Sequence, residues 1–174
     1  MTTLRADAER NLRRVLDAAA EVFAEHGCGV SVDEIARRAG VGHATVFRRF
    51  PTKDALIEAV GEQAIRRLAN VAEDALADPD PGAALRGFIW GIAELVARER
   101  GLYECITRCE GTPASIALHE AATELVARAQ AAGALRADVT TEDVEALVGG
   151  AIGSSPPDRW RQHLTVVLDG LGLG

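Results

Sequence analysis

The sequence VSVDEIARRAGVGHATVFRRFPTKDAL, from Val30 to Leu56, decides the fold of this chain. It begins with a short helix that Ser31 can cap, and Glu34 follows three residues later to complete a capping box. The apolar residues of this helix fall on one face: Val32, Ile35, Ala36 and Ala39. Gly40 ends the helix, because glycine adopts left-handed backbone conformations at little cost. The segment therefore predicts a capped helix followed by a tight turn.

A second short helix is predicted from His43 to Phe50, because Pro51 disfavours helical geometry in the residue before it. Val46 and Phe50 are four residues apart, so both face inward. The residues on or beside the exposed side are His43, Ala44, Thr45, Phe47, Arg48 and Arg49. A short helix with an apolar base and exposed hydroxyl, aromatic and guanidinium groups is typical of a helix-turn-helix that reads the major groove of DNA.

This stretch resembles the DNA-binding motif of the TetR (tetracycline-repressor) family of bacterial regulators. The matching residues are Ser31, Val32, Ile35, Ala36, Ala39, Gly40, Val41, Thr45, Phe50, Lys53 and Leu56. The chain departs from the family at Gly42, Ala44 and Phe47, where the family usually has a small hydroxyl residue, a glycine and a tyrosine. The resemblance implies an all-α fold of about nine helices. It places a helix-turn-helix DNA-binding domain at residues 1–53 and a helical effector-binding and dimerisation domain at residues 54–174.

The charge distribution favours DNA binding by the N-terminal part only. The chain of 174 residues carries a net charge of −7, yet residues 1–53 have a balance of +2 and the remainder −9. Only the first part is therefore expected to approach phosphate groups. No apolar run reaches the roughly 18 residues of a membrane helix, and no signal sequence is evident. We therefore expect a cytoplasmic protein.

Two residues after the second helix add contacts to the DNA backbone. Lys53 begins the next helix, where unpaired N–H groups and the helix dipole favour a phosphate. Thr52 can cap that helix or bind a phosphate, and Arg48 and Arg49 can bind a phosphate or a guanine edge. Phe47 lacks the hydroxyl of the family's tyrosine; it can pack on a sugar or a thymine methyl, or lie partly in the core. The predicted DNA-binding residues are His43, Ala44, Thr45, Phe47, Arg48, Arg49, Thr52 and Lys53.

Glycine and proline divide the rest of the chain into helices whose apolar residues repeat at three and four. The predicted helices are Ala6–His26, Lys53–Ala77, Gly82–Arg100, Leu102–Glu110, Pro113–Ala132, a helix from a Thr140 cap with Asp143 to Gly153, and Asp158–Leu171. In the resembling family the long helix that starts at Lys53 transmits movement between the domains, and the last two helices form a four-helix bundle with a second subunit. The predicted dimer interface is Leu147, Gly150, Ala151, Trp160, Leu164, Val167 and Leu168.

A pocket for a small organic effector is expected among helices four to seven. Its candidate lining is Phe88, Trp90, Ile92, Tyr103 and Ile106, and the alternative is that these side chains are simply core. The resemblance implies that effector binding releases a palindromic operator. Two DNA-binding domains are needed, because one alone has few positive groups.

Other classes of function have less support from the sequence. There is no phosphate-binding loop, dinucleotide fingerprint, nucleophile elbow or paired metal motif, so we expect neither an enzyme nor a metal or other cofactor. Cys28 is interpreted as a small turn residue. Cys105 and Cys109 share a helix face and are expected to be buried, since no histidine has ligand spacing to them. The remaining alternative is a helical interaction protein whose helix-turn-helix has lost specific DNA binding.

Overall fold

A computed structural model describes the backbone of residues 2–98 and 103–174 and the side chains of residues 9–98 and 105–174. These residues form nine α-helices and no strand, which confirms the predicted all-α fold. The helices are α1 (Thr2–His26), α2 (Val32–Ala39), α3 (His43–Arg49), α4 (Lys53–Leu76), α5 (Pro81–Arg98), α6 (Tyr103–Thr107), α7 (Pro113–Ala131), α8 (Thr141–Gly153) and α9 (Trp160–Leu171).

The chain forms two compact units. The first contains the described residues of Met1–Ala64 and Glu99–Glu110, and the second those of Ile65–Arg98 and Gly111–Gly174. The first unit therefore contains α6 and the first half of α4 in addition to α1, α2 and α3. The functional division after residue 53 stays a prediction.

The first unit is built around α1, whose apolar residues repeat at three and four and point at α2, α3 and α4. Its buried residues include Val22 and Phe23, which have no exposed surface. They pack in one cluster with Ile35 of α2, Val46 of α3 and Leu56 of α4. The sequence periodicity of these helices thus identified their inner faces correctly.

Helix α6 packs closely on α4 because Gly61 has no side chain. A Cβ atom built on Gly61 would lie 2.5 Å from Cys109 Sγ and closer still to the carbonyl oxygen of Cys105. Cys105 Sγ also lies 2.9 Å from Cys28 Sγ, in the interior. Cys105 and Cys109 are buried as expected, and burial raises the pKa of the Cys109 thiol. Cys28 is more than a turn residue, because its buried side chain joins the α1–α2 loop to α6.

The second unit has its core among α5, α7, α8 and α9. Within this core cluster, the largest fully buried side chains are Leu85, Ile89, Leu125 and Leu164. Helix α8 begins with the predicted Thr140 cap. Thr140 Oγ1 accepts from Asp143 N at 3.2 Å, and the Asp143 carboxylate accepts from Thr140 N at 2.9 Å. Both bonds satisfy N–H groups that the helix itself leaves open.

The C-terminal end of α4 is held by a side chain from α7. The Arg128 guanidinium donates hydrogen bonds of 2.7 Å to the carbonyl oxygens of Leu76 and Asp78. Leu76 is the last residue of α4 and Asp78 follows just after it, so Arg128 caps a helix end that no glycine closes.

Some predicted helix boundaries are corrected by the structure. Helix α6 ends at Thr107 rather than Glu110, because a turn from Cys109 N to Ile106 O follows it; Leu102 lies outside the described residues. Helix α9 starts at Trp160 rather than Asp158, after a turn from Arg159 N to Pro156 O. Within the described residues, no helix is long and apolar enough to cross a membrane.

Candidate nucleic-acid interface

Local sequence signals position the helix-turn-helix. The Ser31 hydroxyl accepts from Glu34 N at 3.3 Å and caps α2. The predicted capping box is only half formed, because the Glu34 carboxylate pairs with Arg37 instead. Gly40 has φ +64° and ψ +37°, the left-handed conformation that ends α2, and Val41 N then bonds to Ala36 O at 3.0 Å. This turn allows only three residues to separate α2 from α3.

Helix α3 has one buried face, and its other residues are accessible to solvent. Val46 and Phe50 are buried, as predicted from their spacing. His43, Ala44, Arg48 and Arg49 are exposed, and Thr45 is half-buried. Phe47 is 36% exposed, so its ring is available at the surface rather than part of the core. Apart from the buried Val46, the residues of α3 are thus at least partly accessible to a ligand.

The N-terminal end of α3 carries a cluster that sequence reasoning missed. The ring of His43 stacks on that of Phe47 with centroids 4.4 Å apart and planes inclined by 26°. His43 Nδ1 is also hydrogen-bonded to the carboxylate of Asp33 on α2. The sequence held a signal for the stack, because residues four apart on a helix, such as His43 and Phe47, lie next to each other. The bond to Asp33 depends on the packing of two helices, so the sequence alone gave no signal for it.

Arg48 and Arg49 border a cleft between α3 and α1. The cleft has a volume of about 530 Å³. Its lining comprises Glu9, Asn11, Leu12, Val15, Thr45, Arg48, Arg49 and Phe50. Neither guanidinium forms an ion pair with any residue that the structure describes, so both charges can meet a ligand. A cationic rim beside an exposed helix is suited to a polyanion.

The start of α4 supplies a further hydroxyl and the only lysine of the chain. Thr52 Oγ1 accepts from Ala55 N at 3.1 Å and thereby caps α4. Its hydroxyl proton remains able to donate to a phosphate. Lys53 is half-buried at the first position of the helix. Its neighbour Asp54 is held by an ion pair of 2.8 Å with Arg108, which follows α6.

The arginines of α2 are engaged within the protein. Arg38 donates to Glu25 at 2.8 Å and to Glu21 at 3.2 Å, both on α1. The hydrogen bond to Glu25 raises the pKa of Arg38, and the same bond lowers the pKa of Glu25. Arg37 pairs with Glu34. These ion pairs reduce the positive charge that α2 presents, whereas Arg48 and Arg49 of α3 remain exposed.

The predicted effector residues are distributed over both compact units. Phe88 is buried in the second unit, and Trp90 and Ile92 are half-buried there, with Trp90 5.9 Å from the ring of Trp160. Ile106 instead packs in the core cluster of the first unit. The side chain of Tyr103 lies outside the described residues. The interpretation of Phe88 as core, kept open above, therefore fits its burial.

The structure also divides the predicted dimer interface. Trp160, Leu164 and Leu168 are buried inside a single chain, with exposures of 4%, 0% and 2%, and Ala151 is buried as well. Leu147 and Gly150 are exposed and Val167 is half-buried. Val166, which sequence reasoning missed, is 65% exposed. The surface available to a partner on α8 and α9 is thus smaller than predicted and includes Val166.

Both parts of the chain are similar to known families of proteins. Residues 15–60 match the family model described as bacterial regulatory proteins, tetR family. Residues 80–173 match the model described as transcriptional regulator SbtR-like, C-terminal domain. Together these matches include the whole helix-turn-helix and most of the second unit.

Individual proteins give the same result. A TetR transcription regulatory protein from Mycobacterium vanbaalenii is 41% identical, with 97% of this chain and 98% of that chain covered and a TM-score of 0.68. A TetR transcriptional regulator from Streptomyces coelicolor is 32% identical, with 91% and 97% covered and a TM-score of 0.67. An HTH-type transcriptional repressor from Mycobacterium tuberculosis is 33% identical over 111 residues, which is 52% of this chain but only 59% of that repressor. These relatives are regulators and not enzymes, in agreement with the sequence analysis.

Proposed function

Because the chain belongs to the TetR family of bacterial regulatory proteins, we propose that it is a transcriptional repressor of the cytoplasm. It binds a palindromic DNA operator as a homodimer and is released by a small organic effector. The observation that carries this proposal is the exposed side of α3, where two arginines and an aromatic stack stand on a buried base.

The proposed contacts divide into those that position the protein and those that read bases. Lys53 and Thr52 bind phosphate at the start of α4, where the helix dipole adds to the lysine charge. Helix α3 enters the major groove with His43, Ala44, Thr45 and Phe47, while Arg48 and Arg49 reach a phosphate or a guanine edge. On this proposal residues 1–53 are the DNA-binding domain and residues 54–174 the effector-binding and dimerisation domain.

Dimerisation is proposed through the exposed sides of α8 and α9. Leu147 is 46% exposed and Val166 65% exposed, and Gly150 lets a second helix approach closely. Val167 extends this surface. Large apolar side chains are more stable in an interface than exposed to solvent. Two linked helix-turn-helix units then double the number of cations that meet the operator.

An effector site is proposed in the second unit near Trp90 and Ile92, which are only half-buried. An effector lowers the affinity for DNA only if it binds the DNA-free conformation of the protein more tightly than the DNA-bound conformation.

The proposal is tested by fluorescence anisotropy with duplex DNA from the region upstream of the protein's own gene. We expect sequence-specific binding that weakens steeply with salt. Lys53→Ala should weaken binding to all sequences about equally and reduce the salt slope by about two, one for each subunit. Arg86→Ala is the matched control, because Arg86 is an exposed cation on α5 in the other unit. Equal affinity for every duplex at low salt would instead support a helical interaction protein that has lost specific DNA binding.

A further inference from the structure

We propose that Asp33 is a positioning residue that fixes the tautomer and orientation of His43. Its imidazole Nε2 then accepts a hydrogen bond from a base amino group in the major groove. The inference rests on the proposed function, since it concerns how α3 reads DNA. It assigns base recognition to a pair of residues on two helices, Asp33 on α2 and His43 on α3.

The tautomer follows from the partners in the hydrogen bond. A carboxylate can only accept, so the proton between Asp33 and His43 belongs to Nδ1 of the imidazole. A neutral imidazole carries a single N–H, and Nε2 is then an acceptor. Without Asp33, nothing in this contact would choose between the two tautomers.

The orientation of the ring is fixed by a second contact. Phe47 stacks on the imidazole at a centroid distance of 4.4 Å, which sets the ring plane, while Asp33 sets its rotation within that plane. Phenylalanine stands here where the resembling family usually has tyrosine. It serves as a flat surface for His43, a role that needs no hydroxyl.

The pair is placed for recognition rather than for stability. The side chains of His43 and Asp33 are 52% and 76% exposed, and ion pairs this open to water contribute little to folding. Contact with DNA removes that water, so the bond strengthens where a base edge is read. An exposed carboxylate beside the groove also repels phosphate. A residue that costs affinity at this place is better explained by specificity than by binding strength.

The acceptor at Nε2 predicts which bases are preferred. In the major groove adenine offers N6–H2 and cytosine offers N4–H2, whereas guanine and thymine offer acceptors at the corresponding positions. His43 should therefore select adenine or cytosine at one position of each half-site. One hydrogen bond of this kind corresponds to a preference of about fivefold.

The first experiment examines the free protein and does not depend on DNA binding. Long-range proton–nitrogen correlation spectra at about pH 8.5 report which ring nitrogen of a neutral histidine carries the proton. The signals of His43 are those that disappear from the spectrum of the His43→Gln variant. We expect the Nδ1–H form in the wild type and loss of this preference in Asp33→Ala. Glu34→Ala is the matched control. Glu34 is the neighbouring negative charge on α2, and its carboxylate pairs with Arg37 rather than with His43. An unchanged His43 spectrum in Asp33→Ala would overturn the proposal.

The second experiment is selection of binding sites from random duplexes at the same pH. Asp33→Ala and Glu34→Ala should both bind DNA more tightly, since each removes a negative charge. Only Asp33→Ala, and likewise His43→Ala, should lose the preference for adenine or cytosine. If the wild type selects a motif and Asp33→Ala selects the same one, this inference is wrong while the proposed function stands. If the wild type selects no motif, the proposed function itself fails.

Discussion

Gly61 lies where α4 and α6 meet in the first unit, and its replacement by alanine tests how closely these helices pack. The added Cβ would be 2.5 Å from Cys109 Sγ, about 0.9 Å short of the 3.4 Å of ordinary van der Waals contact. It would be nearer still to the carbonyl oxygen of Cys105, a backbone atom that cannot rotate away. Helices α4 and α6 must therefore move apart by about 1 Å to admit the methyl group.

Two opposing effects set the size of the change. Overpacking a buried contact costs about 1–3 kcal/mol, and a backbone obstacle favours the upper end of that range. Alanine in place of glycine inside a helix contributes about 1 kcal/mol in the other direction. The steric effect is larger, so we expect Gly61→Ala to lower the free energy of unfolding by about 2 kcal/mol.

The assay is urea unfolding followed by circular dichroism, with Gly87→Ala as the matched control. Gly87 is also within a helix, but a Cβ there meets nothing within 4 Å. The control should gain about 0.5–1 kcal/mol, whereas Gly61→Ala should unfold at a urea concentration lower by about 1 M. If both variants were stabilised alike, the close packing of α6 on α4 would be refuted.

Three further changes probe the second unit. Thr140→Ala removes the capping box shared with Asp143 and should cost about 1 kcal/mol in urea unfolding; an unchanged midpoint would contradict it. Arg128→Ala removes two hydrogen bonds to the end of α4 and should cost about 1.5–3 kcal/mol, and a loss below this range would show that water replaces the guanidinium. The hydrogen bond to Glu145 raises the pKa of His119 above 6.5, so this pair stabilises fully below pH 6.5 and less as the pH rises through the raised pKa. His119→Gln should therefore remove that decline from the melting temperature measured against pH, and an identical profile would exclude the pair as its cause.

Local signals in the sequence predicted most of the fold. The Ser31 and Thr140 caps and the left-handed Gly40 are short-range features, because each depends on groups within about four residues. The inner faces of α1–α4 follow from apolar spacing for the same reason. Glu34 is an exception among these local signals. Its carboxylate could bond either to the backbone N–H of Ser31, as the capping box requires, or to Arg37, and it pairs with Arg37.

Contacts between distant segments were not predictable in the same way. Cys28 and Cys105 are separated by 77 residues, and Asp33 reaches His43 only through the angle between α2 and α3. Apolar spacing also cannot tell which partner covers a residue. Trp160 was assigned to a second subunit, yet it is covered within its own chain.

The central claim is that α3 reads DNA from a symmetric pair of subunits. The most direct measurement is to let the purified protein select fragments of its organism's genomic DNA and to sequence what it retains. The account predicts an enriched inverted repeat whose half-sites are centred about one helical turn, or a multiple of it, apart. Retained fragments with the same composition as the starting DNA would contradict it.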